Sequence, residues 1–141
     1  MANSIKKILV PLDGSKNSFR GLDEAIYVAR QCHATITGLY VTPMSAPQTD
    51  EQISYMEKYL LKNAAKFMAK AKKRAAQNGI LFNDKLVYGD EGPKILKFAK
   101  DKKFDLIVIG SRGYSGVKEV FLGSVATAIV HKSKIPVLVV K

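Results

Sequence analysis

The chain has one cysteine, two histidines and no tryptophan among its 141 residues. A lone cysteine, Cys32, cannot close an internal disulfide, which suits a reducing cytoplasm. Cys32 and His33 are adjacent, so on a helix they point about 100° apart and make a poor nucleophile–base pair. His33 and His131 both fall at the ends of predicted helices, ordinary places for a cation to meet a helix C-terminus. No grouping of His, Cys and carboxylates has metal-ligand spacing. No catalytic residue and no protein-held metal site is therefore assigned. Long apolar runs are missing too: none approaches the roughly 18 residues of a membrane span. The start, Met-Ala-Asn-Ser-Ile-Lys-Lys, lacks the apolar stretch of a signal peptide, so a cytoplasmic location is expected. Acids are also scarce, 12 against 23 Lys and Arg, and the net charge of +11 favours polyanionic ligands.

What is present is a regular alternation. Lys7-Ile-Leu-Val-Pro-Leu12 reads as a strand buried on both faces, followed by an Asp13-Gly14-Ser15 turn. Ser15 to His33 reads as a helix, with Ser15 or Asn17 as cap and Phe19, Leu22, Ile26 and Ala29 on one face. Thr35 to Val41 is a second strand, and Thr42 to Gln52 a loop with the makings of a lid. Ile53 to Asn78 has helical period, with Met56, Leu60, Ala64, Phe67 or Met68, Ala71 and Ala75 as its apolar stripe. Ile80 to Tyr88 is a third strand, Pro93 to Lys102 a short helix, and Asp105 to Ile109 a fourth strand. A final helix runs to about Lys132, and Val137 to Val140 form the last strand. The order βαβαβαβαβ, with no composition break, predicts one domain over 1–141. Its fold class is α/β, a doubly wound five-stranded parallel sheet with helices on both faces. Ligands of such sheets bind beyond the carboxyl ends of the strands, where the strand order reverses. Asp13, Val41 and Gly110 all fall on that rim.

Between the fourth strand and the last helix lies Gly110-Ser-Arg-Gly113-Tyr-Ser-Gly116-Val-Lys-Glu-Val-Phe-Leu-Gly123-Ser124. Glycines let a backbone approach a ligand closely. A helix N-terminus adds N–H groups and a positive dipole end, which favour phosphate. Arg112 and Lys118 add cations, and Ser124 is a candidate both to cap the helix and to donate a hydroxyl to phosphate. The spacing matches neither the P-loop nor Gly-x-Gly-x-x-Gly. It predicts a nucleotide site of a third kind.

Pro11-Leu-Asp13-Gly-Ser15, Tyr40-Val41, Gly110-x2-Gly113-x9-Gly123-Ser124 and the closing Pro136-Val-Leu-Val-Val140 resemble the universal stress protein family over the whole chain. The glycine spacing is similar to that of the family's ATP-binding branch. The resemblance implies a Rossmann-like, adenine nucleotide alpha hydrolase-like fold. It also implies ATP, or AMP or another adenine nucleotide, as ligand, with Mg²⁺ or Mn²⁺ carried by the phosphates. By the same resemblance Leu12 and Asp13, next to Pro11, lie against the nucleoside, and the Val41 backbone bonds the adenine edge. Gly110, Arg112 and Gly113 follow the ribose and phosphates, and Gly123, Ser124 and Val125 cradle the terminal phosphates. A homodimer through Val137 to Val140 is implied as well. With no evident base to orient water, the expectation is a nucleotide-responsive binder acting in stress response, at most a weak ATPase.

Two other readings compete. Asp90, Ser111 and Lys141 have the layout of a phospho-acceptor receiver domain, but the acidic pair that such a fold needs after the first strand is reduced to Asp13. Lys58, Lys62, Lys66 and Lys70, with Lys73 and Arg74, form a basic stripe on the second helix. It is either a solvated face or a docking surface for nucleic acid or an acidic protein. Nucleic acid is not expected as a partner, because no aromatic side chain interleaves the stripe and base stacking has no evident platform.

Overall fold

The computed structural model describes residues 4–43, 54–113 and 122–141. Its layers follow from the two-residue period of strands. In β1 (Lys7–Pro11), Ile8 and Val10 turn to one face and Leu9 to the other. In β4 (Leu106–Gly110), Leu106 and Val108 share the first face, Ile107 and Ile109 the second. β2 (Thr35–Thr42) divides likewise, Ile36 against Leu39 and Val41. The first face is covered by α1 (Lys16–Cys32) through Phe19, Leu22, Ala25, Ile26 and Ala29, and by α2 (Tyr55–Gln77) through Met68, Ala71 and Ala75. The second is covered by α3 (Glu91–Asp101) through Ile95 and Ala99, and by α4 (Ser124–Lys132) through Ile129.

With β3 (Phe82–Tyr88) and β5 (Val137–Val140), the sheet is wholly parallel in the order β3-β2-β1-β4-β5. The doubly wound α/β reading holds. Strand order reverses between β1 and β4, and their ladder joins only Ile8 to Leu106 and Leu9 to Ile107. Beyond those pairs the two strands part toward their carboxyl ends.

Local signals set most boundaries. Ser15 caps α1 by accepting from Ser18 N at 3.1 Å, and Ser54 caps α2 by accepting from Glu57 N at 3.2 Å. α1 stops at His33 in the left-handed region, and Gly79 at φ +73° follows α2. α3 begins at Glu91, earlier than Pro93, because proline in a first turn forfeits an N–H that had no intrahelical acceptor. The apolar stripe of α2 also fails at its start: Met56 is 65% exposed. A helix of 23 residues is about 35 Å long, whereas the eight residues of β2 span about 26 Å. Its first turns overhang the rim. Among the described residues no helix is long and apolar enough to cross a membrane.

Candidate functional site

The parting of β1 and β4 opens a cleft of about 470 Å³ at the carboxyl rim, within the range of small-ligand sites. All ten residues singled out from the sequence line it: Pro11, Leu12, Asp13, Val41, Gly110, Arg112, Gly113, Gly123, Ser124 and Val125. The sheet and α3 add Leu39, Ile109 and Ile95, which make the walls largely apolar.

Asp13 is held ready by its own turn. Gly14 takes φ +86°, which lets the chain fold back so that Ser15 N donates to Asp13 Oδ1 at 2.8 Å. The other carboxylate oxygen, Oδ2, faces Gly113, where a Cβ would run into it.

The glycine loop is anchored at both ends. Ser111 N donates to Val140 O at 2.8 Å, which extends the β4–β5 pairing by one step. Gly123 N donates to Ser111 O at 2.6 Å and draws the far end of the loop back to its start. A Cβ on Gly123 would stand 3.2 Å from Arg112 Cα, so this return is tight for any larger residue. Asn17, in the first turn of α1, accepts from Arg112 N at 2.8 Å through Oδ1. A Cβ on Gly110 would stand 2.5 Å from that same oxygen, so only glycine lets Asn17 reach the loop. Gly116 and Lys118 lie outside the described residues, as does the lid segment beyond Pro43.

One expectation is corrected here. The N-cap of α4 is Gly123, not Ser124, and no side chain caps this helix. Ser124 is its first helical residue. The first N–H groups of a helix have no intrahelical acceptor, and Ser124, Val125 and Ala126 all line the cleft. The positive end of the α4 dipole therefore faces into it.

The second wall was not read from the sequence. Leu60, Asn63 and Phe67 of α2 stand over the cleft, and Phe67 meets Tyr40 edge-on at 5.5 Å. The available signal was Asn63, a polar residue beside the apolar stripe at the spacing i, i+3 from Leu60. Glu91, first in α3, also lines the cleft. Burial chiefly, and then the charge of Asp13, push its carboxyl above the usual carboxylate range. The Tyr40 phenol is raised mainly by burial, opposed by the Thr42 hydroxyl, with Glu91 and Asp13 adding to the rise. Among the described residues no group of three His, Cys, Asp or Glu could hold a metal ion.

The basic stripe of α2 is less uniform than its spacing predicts. Arg74 pairs with Asp23 at 3.0 Å, and Lys70 and Arg74 both lie over the Phe19 ring at 4.9 Å. The expectation of no interleaved aromatics is overturned as well: Tyr55 is 91% and Tyr59 62% exposed on the same helix.

Residues 4–141 match the model of the universal stress protein family. The chain is 34% identical to the universal stress protein YxiE of Bacillus subtilis, over 96% of this chain and 98% of that one. The universal stress protein UspA from Lactobacillus plantarum superposes with a TM-score of 0.86 at 26% identity, covering 98% of this chain and 99% of that one. A universal stress protein crystallised in complex with cAMP superposes at 0.78 with 25% identity, covering 98% of each chain.

Proposed function

The chain belongs to the universal stress protein family, and from that premise we propose that it is a stress-response protein that binds an adenine nucleotide, ATP foremost, in the cleft between β1 and β4. The observation that carries this is the convergence of all ten sequence-derived positions on one cavity of suitable size. The cAMP complex of a relative supports the class of ligand. In this reading the base lies among Leu12, Leu39, Val41 and Ile95, with the Val41 backbone on its edge. Asp13, turned toward Gly113, takes the ribose. The phosphates lie along Gly110, Arg112 and Gly113 and end at the α4 N-terminus, where Gly123 leaves room for their approach and Ser124 and Val125 supply N–H groups and a hydroxyl.

The donor set fits Mg²⁺ or Mn²⁺ carried by the phosphates, with the Asp13 carboxylate and the Ser124 hydroxyl on the same cleft. Mg²⁺ commonly keeps such a mixed shell of phosphate, water and one or two protein oxygens. In this reading turnover is slow or absent and occupancy itself is the signal. We further propose that residues 1–141 act as one unit in the cytoplasm and dimerise through β5.

The test is native mass spectrometry of the purified protein, followed by denaturation and nucleotide analysis of the supernatant. One adenine nucleotide per chain is the expected result. Protein that is empty and also takes up no added Mg-ATP would overturn the reading.

A further inference from the structure

The side of α2 away from the cleft carries a second surface. At about 100° per residue, Tyr55, Lys58, Tyr59, Lys62, Lys66 and Lys73 fall within about 60° of one line along the helix. The buried residues Ala64, Met68, Ala71 and Ala75 lie on the opposite side. Tyr55 and Tyr59 are 91% and 62% exposed, and the four lysines are exposed with them. The one carboxylate of this helix, Glu57, is half-buried and belongs to the core-facing side. Arg74 and Lys70 are engaged inward by Asp23 and Phe19. Lys58, Lys62, Lys66 and Lys73 have no acidic partner among the described residues.

Such a face holds two unfavourable features that one ligand would relieve together. Like charges one turn apart repel, and a polyanion neutralises them. Two tyrosine rings one turn apart are largely exposed to water, and flat π-faces would cover them. A duplex offers phosphates but keeps its base faces stacked inside. An acidic protein segment offers charge without planar rings. We propose that this face of α2 binds single-stranded nucleic acid, with Lys58, Lys62, Lys66 and Lys73 on phosphates and Tyr55 and Tyr59 stacked on bases. Lys58, Lys62 and Lys66 advance by about 6 Å per step along the axis and Lys73 by about 10.5 Å more, steps that a strand partly unstacked onto the rings can follow. The surface is separate from the nucleotide cleft, which α2 walls with Leu60, Asn63 and Phe67.

The test uses the full chain and a fluorescein-labelled oligothymidylate, read by anisotropy across a salt series. Wild-type affinity is expected to fall linearly in log–log form with salt. Replacing Lys58, Lys62 and Lys66 together with glutamine should flatten that slope by about two, at roughly 0.7 per lost phosphate contact. Tyr55→Ala with Tyr59→Ala should leave the slope unchanged and weaken binding by roughly tenfold per ring. Mg-ATP uptake should be the same in both variants, which controls for folding. Wild-type affinity in the tyrosine variant overturns the proposal. So does equal binding of a duplex of the same sequence length, or displacement of the strand by polyglutamate at equal charge.

Discussion

Asn17 offers a separation of stability from ligand binding. Its Oδ1 accepts from Arg112 N at 2.8 Å, while its Nδ2 is buried with no hydrogen-bond partner, in a residue only 8% exposed. Asn17→Ala removes the acceptor from a partly buried N–H, a loss of about 1 kcal/mol at the low end of the range for an unsatisfied donor. The same change deletes the unpartnered Nδ2, which returns a similar amount. Alanine also gains up to about 0.7 kcal/mol in helix propensity. Global stability should therefore move by no more than about 1 kcal/mol in urea unfolding. The loop, by contrast, loses the tie that holds Arg112 and Gly113 toward α1, and ordering it falls to the ligand. Mg-ATP affinity by titration calorimetry should drop by about tenfold, or about 1.4 kcal/mol. A variant that loses 3 kcal/mol of stability and keeps wild-type affinity would refute this reasoning. Asn17 would then be a strut between α1 and β4 with no part in the site.

Glu91→Gln removes a negative charge beside Asp13 and should tighten Mg-ATP at neutral pH. Because the folded carboxyl titrates above its unfolded value, its contribution to stability is full at low pH and is lost as pH rises through the folded pKa. The variant should therefore be slightly more stable than wild type at neutral pH, with a flatter pH profile in thermal melts. Identical profiles would remove Glu91 from the electrostatics of the cleft. Gly38→Ala would drive a Cβ into the Phe82 ring and to 3.1 Å from Leu12 Cδ1. Overpacking of this kind should cost about 1–3 kcal/mol in urea unfolding, and an unchanged midpoint would show that the ring can swing aside. Leu138→Asp places a charge on β5 at a position already 38% exposed. Sedimentation should then report monomer, and a persisting dimer would rule out pairing through β5.

The layers and the rim were legible because each rests on a short-range rule. Ile8, Leu9 and Val10 alternate faces as any strand must, and a glycine-rich link after β4 has to emerge at the carboxyl end of the sheet. Boundaries were less legible where two residues shared a function. Gly123 and Ser124 are both acceptable at a helix start, and the return of Gly123 N to Ser111 O decides for glycine. The α2 wall was hidden for a different reason. Periodicity places Met56 in register with Leu60 and Ala64 but says nothing about where the sheet beneath the helix ends. Past that end the same stripe first becomes a cleft wall, at Leu60, and then open surface, at Met56. Asn17 reads locally as a cap candidate. Its partner, Arg112, lies 95 residues away, and no local pattern carries that pairing.

The two margins of the sheet are chemically unequal. Four consecutive residues of β3, Asn83, Asp84, Lys85 and Leu86, are exposed, and their polar and charged members obstruct addition of a further strand. β5 presents only Val137, Leu138, Val139 and Val140. Growth that joined β5 of one copy to β3 of the next would be head-to-tail and would run on without limit. The charged margin opposes it. Pairing of β5 with itself about a two-fold axis, as proposed, would consume the apolar margin of both copies at once and leave nothing to extend from. The dimer proposed above would thereby hold an otherwise adhesive sheet to an assembly that terminates at two.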